Sequence, residues 1–300
     1  METHAKQAEA LGPTPILGSN RFKIWSDVVG AHFIIDVSEP PVFVPRTGPL
    51  PVLFVTDGNL CFPTAAQLSG ALAMEPDGPP PMLVVGIGYD VSGGGKGAEH
   101  HVIRIRDLSP VEDKRFEAMM RKAPPPLTWR EDIRPGGARD FRRFILDELV
   151  PWLAERFEID DTDLSLAGVS LGGLFVLDTL LSEPRAFKRY VAVSPAIWWA
   201  DRYILNRLVE HSEALNEVEG HLYMAVGERE EAQDPFARMV SNLKDFATAF
   251  PKSPGARFRL SHDILPGETH MSAFGPAFSR AVRTVFTAQS RNEDWALLEK

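Results

Sequence analysis

The stretch Asp163-Leu-Ser-Leu-Ala-Gly-Val-Ser-Leu-Gly-Gly-Leu-Phe-Val-Leu-Asp-Thr-Leu-Leu181 decides the fold, because it reads as two different elements joined by one sharp corner. Asp163 to Gly168 is a short run with an apolar centre that suits a buried strand, and Leu171 to Ser182 is long and apolar enough for a buried helix. Between them, Gly168-Val169-Ser170-Leu171-Gly172 matches G-x-S-x-G. A serine on such a strand-to-helix turn has its hydroxyl lifted to the sheet edge, and the flanking glycines leave room where a Cβ would clash. Gly173 extends the close approach of helix to sheet. A glycine-rich turn with an ordinary surface serine is the alternative; the strand before and the helix after favour a nucleophile elbow.

Working outward, the same alternation recurs. Pro51–Thr56, Pro81–Gly88, Tyr190–Val193, His221–Val226 and Ala256–Ser261 read as further short strands. Pro63–Met74, Asp201–Glu217, Asp234–Phe250 and Ser272–Gln289 read as helices. From Ala138 a helical face carries Phe141, Phe144, Ile145, Leu149, Trp152 and Leu153. Phe22–Val29 and His32–Val37, joined by Gly30, look like an antiparallel hairpin at a sheet edge. Strands alternating with helices predict an α/β fold, a mostly parallel central sheet with helices on both faces and an N-terminal antiparallel hairpin. The expected organisation is a flexible tail over 1–20 and a single domain over 21–300. An insertion, either lid-like or disordered, is expected at about 89–137, bracketed by Ser92-Gly93-Gly94-Gly95 and Pro124-Pro125-Pro126.

Whole-chain properties bound the function. The 300 residues carry a formal net charge of −9, with 44% hydrophobic and 24% charged residues. That composition fits a globular protein with a sizeable core, and the acidic balance without any Lys/Arg block argues against a nucleic-acid partner. The single cysteine, Cys61, cannot form an intrachain disulfide. The first residues lack the basic start and apolar run of a secretory signal, and no stretch approaches the roughly 18 apolar residues of a membrane span. The expected location is cytoplasmic, with no membrane partner. No Cys/His cluster has zinc-ligand spacing, and Gly93-Gly94-Gly95 is not followed by the Lys-Ser/Thr of a phosphate loop, so neither metal nor organic cofactor is expected.

A serine hydroxyl needs a base within hydrogen-bond reach. In chain order that base should follow the last strand, where His270 sits in Pro266-Gly267-Glu268-Thr269-His270, with His262 as the rival at the strand end. The acid that orients the base should follow the preceding strand, where Gly227-Glu228-Arg229-Glu230-Glu231 offers Glu228 and Glu230, with Asp234 beyond them. Oxyanion donors are expected from the backbone of Leu171 and of Gly58 or Asn59, after the Pro51–Thr56 strand. Trp198 and Trp199 could wall an acyl or aryl pocket or simply pack in the core. Arg104, Arg106, Arg130 and Arg134 could meet an anionic substrate or pair with Asp107, Glu131 and Asp132.

Several separated pieces resemble one known group, the esterase-D-like α/β-hydrolases that include enterochelin (siderophore) esterases. They are Pro51-Val-Leu-Phe-Val-Thr-Asp-Gly58, Gly86-Ile-Gly-Tyr89, Arg104-Ile-Arg-Asp-Leu-Ser-Pro110, Gly136-Gly-Ala138, Leu166–Phe175, Ser194-Pro-Ala-Ile-Trp-Trp199 and Gly227-Glu-Arg-Glu230. The likeness runs from about Phe22 to the end, and the Arg-x-Arg-Asp and Ser-Pro-x-x-Trp-Trp pieces are its specific parts. It implies an α/β-hydrolase fold, Ser170 as nucleophile and His270 as base. It ranks Glu230 first as acid, because the family's acid sits three residues past the glycine. Two positions depart from the family pattern, Val169 before the nucleophile and Thr269 before the base, and neither removes a reacting group.

The expected function is hydrolysis of a small-molecule carboxylic ester through an acyl-enzyme, with siderophore-type or aryl esters as the specific substrates. Two other readings stand beside it: an acyltransferase using the same residues, and a non-catalytic binding protein on the same scaffold. An intact serine and a correctly placed histidine count against the second.

Overall fold

The computed structural model describes residues 15–46, 48–91, 100–123, 129–130, 132–251 and 257–286. The expected tail lies largely outside these residues, as does the glycine-rich start of the 89–137 segment. Eight strands form one sheet: β1 (Ser19–Ser26), β2 (Ala31–Ser38), β3 (Leu50–Thr56), β4 (Leu83–Tyr89), β5 (Ile159–Val169), β6 (Arg189–Val193), β7 (Gly220–Gly227) and β8 (Phe258–Leu265). Their order is β1-β2-β4-β3-β5-β6-β7-β8. β2 pairs antiparallel with β1 and β4, and every pairing from β4 to β8 is parallel. The hairpin therefore occupies one edge, as expected.

Alternation along β3 explains the two-faced core. Val52 and Phe54 point to one side, where they join Phe33, Phe141, Phe144 and Phe175, whereas Leu53 and Val55 point to the other, with Phe62, Phe278 and Val282. A parallel sheet buried on both faces has to be apolar at successive positions, not alternate ones. Helices α1 (Gly58–Leu72) and α10 (Phe274–Val285) cover the second face. The first face is covered by α2 (His100–Leu108), a helical run Ala138–Ala154, α6 (Leu171–Ser182), α7 (Trp199–His211) and α9 (Met239–Ala249). Between α2 and Ala138 lies α3 (Lys114–Met120), and between β7 and α9 a single turn, α8 (Glu230–Gln233). The run Ala138–Ala154 consists of α4 (Ala138–Arg143), a π-helical turn (Phe144–Leu149) and α5 (Val150–Ala154). The wider turn precedes Pro151, where a regular helix would lose a hydrogen bond and meet the proline ring. The architecture is that of an α/β-hydrolase.

Element boundaries differ from the sequence reading where tertiary contacts override local signals. α1 begins at Gly58 and runs through Pro63 instead of starting there. The turn is set by the carbonyl of Asp57, which accepts from both Leu60 and Cys61, and by Gly58 itself, whose Cβ would lie 2.8 Å from the Gly86 backbone. The helix expected over Asp234–Phe250 is broken: Asp234 Oδ1 accepts from the amides of Phe236 and Ala237, and α9 starts only at Met239. β8 continues past Ser261 to Leu265, because Asp263 on this edge strand accepts the hydroxyl of Tyr223 at 2.6 Å. In the 89–137 segment, α2 turns Val102, Ile105 and Leu108 into the core, all essentially without exposed surface. This part of the segment is built into the fold.

Candidate active site

The corner between β5 and α6 has the geometry its sequence predicts. Ser170 lies at φ 60°, ψ −116°, a conformation costly for any residue with a Cβ. Its surroundings leave no slack. A Cβ on Gly168 would lie 2.4 Å from the Gly172 backbone, one on Gly172 2.3 Å from Thr56 Oγ1, and one on Gly173 2.9 Å from Pro195 Cα. The start of α6 is thus pressed against the ends of β3 and β6. The Ser170 amide donates to the Val193 carbonyl (3.0 Å), and its carbonyl accepts from the amides of Leu174 and Ala196 (both 3.0 Å).

Glu230 and His270 meet just past the ends of β7 and β8. Nδ1 of His270 lies 2.8 Å from Glu230 Oε2. The other carboxylate oxygen accepts from Ser194 Oγ and from the Gly227 amide, both at 2.6 Å. Glu230 is 2% exposed, so all three donors act on a carboxylate removed from water, where each is worth more than in solution. Ser194 directly follows Val193, the backbone partner of Ser170, and this ties the serine to the acid and the histidine through β6. The loops bearing Glu230 and His270 are also fastened to each other. Arg229 N donates to Glu268 O at 3.0 Å, Gly267 N to Glu228 Oε2 at 3.0 Å, and a Cβ on Gly227 would meet Glu268 O at 2.5 Å.

These contacts separate the carboxylates that the sequence left open. Glu230 faces the histidine, Glu228 holds the loop before it, and Asp234 caps a turn. His262, the rival base, is exposed in mid-strand opposite Met224.

On the other side of Ser170, Leu171 opens α6 and Gly58 and Asn59 open α1. The first N–H groups of a helix have no carbonyl partner within it, so both turns present donors. Asn59 is fixed by its side chain, which donates to Tyr89 O (3.0 Å) and accepts from Tyr89 N (2.7 Å). Asp57, at φ 55°, caps no amide of α1. Its carboxylate instead takes both prongs of Arg104 at 2.5 and 2.6 Å, and Arg104 Nη2 also donates to Val169 O at 3.2 Å. Burial disfavours the Arg104 charge, but Asp57 outweighs it and the guanidinium pKa is raised. The neighbouring thiol of Cys61 is pushed up to about 12, chiefly by burial and then by Asp57, which leaves it neutral and unreactive.

The expected substrate-facing residues fare unevenly. Trp199 has no exposed surface, and its indole N–H donates to Val111 O at 2.8 Å, so of the two places open to it the structure puts it in the core. Trp198 is half-buried in an aromatic group with Phe116 and Phe236, whose centroids lie 5.8 and 6.0 Å away. Arg106 is paired with buried Asp107 at 2.7 Å, and Arg130 with Asp132. Arg134 is exposed. The sequence names Asp57 and Ser194 only inside the resembling pieces, without a role, and leaves Arg104 between a substrate contact and an ion pair; the pair it makes is with Asp57, a partner the sequence reading does not name.

A protein family described as "Putative esterase" matches residues 94–281. The ferri-bacillibactin esterase BesA of Bacillus subtilis is 31% identical over 254 residues, covering 83% of this chain and 83% of that one. The siderophore triacetylfusarinine C esterase of Aspergillus fumigatus is 27% identical over 311 residues, covering 94% and 96%. Among solved structures, the BES protein of Bacillus cereus superposes with a TM-score of 0.76 at 26% identity, covering 96% of this chain and 100% of that one. The chain belongs to this esterase family and is a hydrolase related to the siderophore esterases.

Proposed function

We propose that the protein is a serine carboxylic ester hydrolase that works through an acyl-enzyme on Ser170 and takes siderophore esters as substrates. The observation that carries this reading is the 2.8 Å contact of His270 Nδ1 with Glu230, on loops tied to the strained serine corner. With Nδ1–H donated to the carboxylate, the imidazole keeps its lone pair on Nε2, the tautomer that can accept a serine proton. Ser170 Oγ then attacks the ester carbonyl, and His270 takes its proton and passes it to the leaving alcohol. Backbone N–H groups of Leu171 and of Gly58 or Asn59 receive the developing negative charge. Water, activated by the same histidine, attacks the acyl-enzyme and releases the acid. The His270 side chain is 39% exposed, so water can reach it for deacylation. The substrate class rests on the relatives, which are named as siderophore esterases.

The test uses wild type, Ser170→Ala and His270→Ala against p-nitrophenyl butyrate and a ferric siderophore ester, the latter followed by chromatographic detection of released acid. Wild type is expected to cleave both, and each variant to lose on the order of 10³-fold or more in kcat. Activity that survives in Ser170→Ala contradicts the mechanism, and cleavage of the synthetic ester alone contradicts the substrate class.

A further inference from the structure

Ser194 is a residue whose geometry the mechanism above leaves unexplained. It has no exposed surface and lies at φ 44°, in the left-handed region that residues other than glycine rarely enter. Proline follows it, and a residue before proline is further steered toward extended backbone. The conformation is held by its amide, which donates to Ala225 O on β7 at 2.6 Å. It carries Oγ to 2.6 Å from Glu230 Oε1. Two residues on, the Ala196 amide donates to the carbonyl of Ser170. Strain at a fully buried residue persists only where the surrounding structure enforces it, and here the enforced product is a hydroxyl aimed at the acid.

We propose that Ser194 is a positioning residue that orients the Glu230 carboxylate toward His270; this rests on the reading of Glu230 as the acid partner. Glutamate has one more rotatable bond than aspartate, so its carboxylate needs a second anchor to hold Oε2 on the imidazole. The Gly227 amide and the Ser194 hydroxyl converge on Oε1 and supply it. Ser194 acts through Glu230 and needs no contact with substrate.

The experiment is a double-mutant cycle with Ser194→Gly and Glu230→Ala on the full chain, assayed with p-nitrophenyl butyrate. Glycine removes the hydroxyl and relieves the positive φ, so the variant keeps its fold; Ser194→Ala, melted in parallel, reports the cost of the strain. In the Glu230 background, Ser194→Gly should lower kcat by about tenfold with KM within about twofold, the size of one hydrogen bond to a charged group. In the Glu230→Ala background the same change should lower kcat by less than about twofold, because its target is gone. An unchanged kcat in Ser194→Gly, or an equal loss in both backgrounds, overturns the proposal. If Glu230→Ala alone leaves kcat intact, it is the assignment of the acid that fails.

Discussion

Two buried carboxylates are tied to the turn around Ser170, one through Ser194 and one through Arg104, and they are used in opposite ways. On one side, Glu230 is 2% exposed and surrounded by neutral donors, Ser194 Oγ and Gly227 N, with His270 as its third partner. Among the described residues its ion-pair partner is His270. On the other side, the Asp57 side chain is 4% exposed and locked to Arg104 by two short hydrogen bonds. That charge is cancelled where it stands. The pair braces the turn before Gly58 and, through Val169 O, the residue before the nucleophile. In the proposed mechanism the uncompensated carboxylate acts on the histidine, whereas the one neutralised internally holds backbone. The pairing with Arg104 cancels the Asp57 charge, which would otherwise oppose a transition-state anion at the proposed oxyanion donors.

The two carboxylates should differ most at Glu230. Glu230→Gln keeps the shape but places an amide that can donate opposite Nδ1, favouring the wrong imidazole tautomer. By the effect of the equivalent change in serine proteases, kcat should fall by on the order of 10³–10⁴, with little change in melting temperature. Asp57→Asn should do the reverse. Asparagine tolerates the left-handed backbone, but it leaves Arg104 buried and unpaired, and urea melts should show a loss of about 3–5 kcal/mol. A large kcat loss without destabilisation at Asp57 would erase the distinction between the two sides.

Much of this layout was legible in the sequence, for identifiable reasons. The α6 boundaries, the elbow and the edge hairpin follow from local signals: glycines where a Cβ would collide, an apolar helix, and a turn glycine, Gly30, at φ 70°. His270 is the histidine between the last strand and last helix, and the structure sets its ring against Glu230. The left-handed backbone at Ser194 and at Ala200, Asp201 and Arg202 was illegible, since no glycine marks it and neighbouring elements impose it. The Asp57–Arg104 pair joins residues 57 and 104 across the sheet end, and no local pattern announces such a partner. Trp199 went to the core for the same reason: its indole finds Val111 only after the chain has folded.

Smaller effects sharpen the contrast between charges that are compensated and those that are not. His221, on β7 and bonded to Ser261 at 2.9 Å, has its pKa lowered from 6.5 to about 4, by burial first and then by Arg259 and Arg189. A depressed histidine pKa means the folded state holds the neutral form. Its contribution is therefore intact above about pH 6.5 and is lost as the pH falls toward about 4. Urea melts should show about 1–2 kcal/mol less stability at about pH 5 than at pH 7, a difference reduced in His221→Gln. Smallest of all, Ser170→Gly should be about 1 kcal/mol more stable than Ser170→Ala in the same melts, because glycine accepts the corner's positive φ without strain.

The central claim is that Ser170 carries the acyl group, and the direct measurement is mass spectrometry of the protein quenched during turnover of a slow p-nitrophenyl ester. The account predicts one acyl adduct per chain, located on the peptide containing Ser170 and absent from Ser170→Ala. An adduct on another residue, or turnover in Ser170→Ala at the wild-type rate, would contradict it.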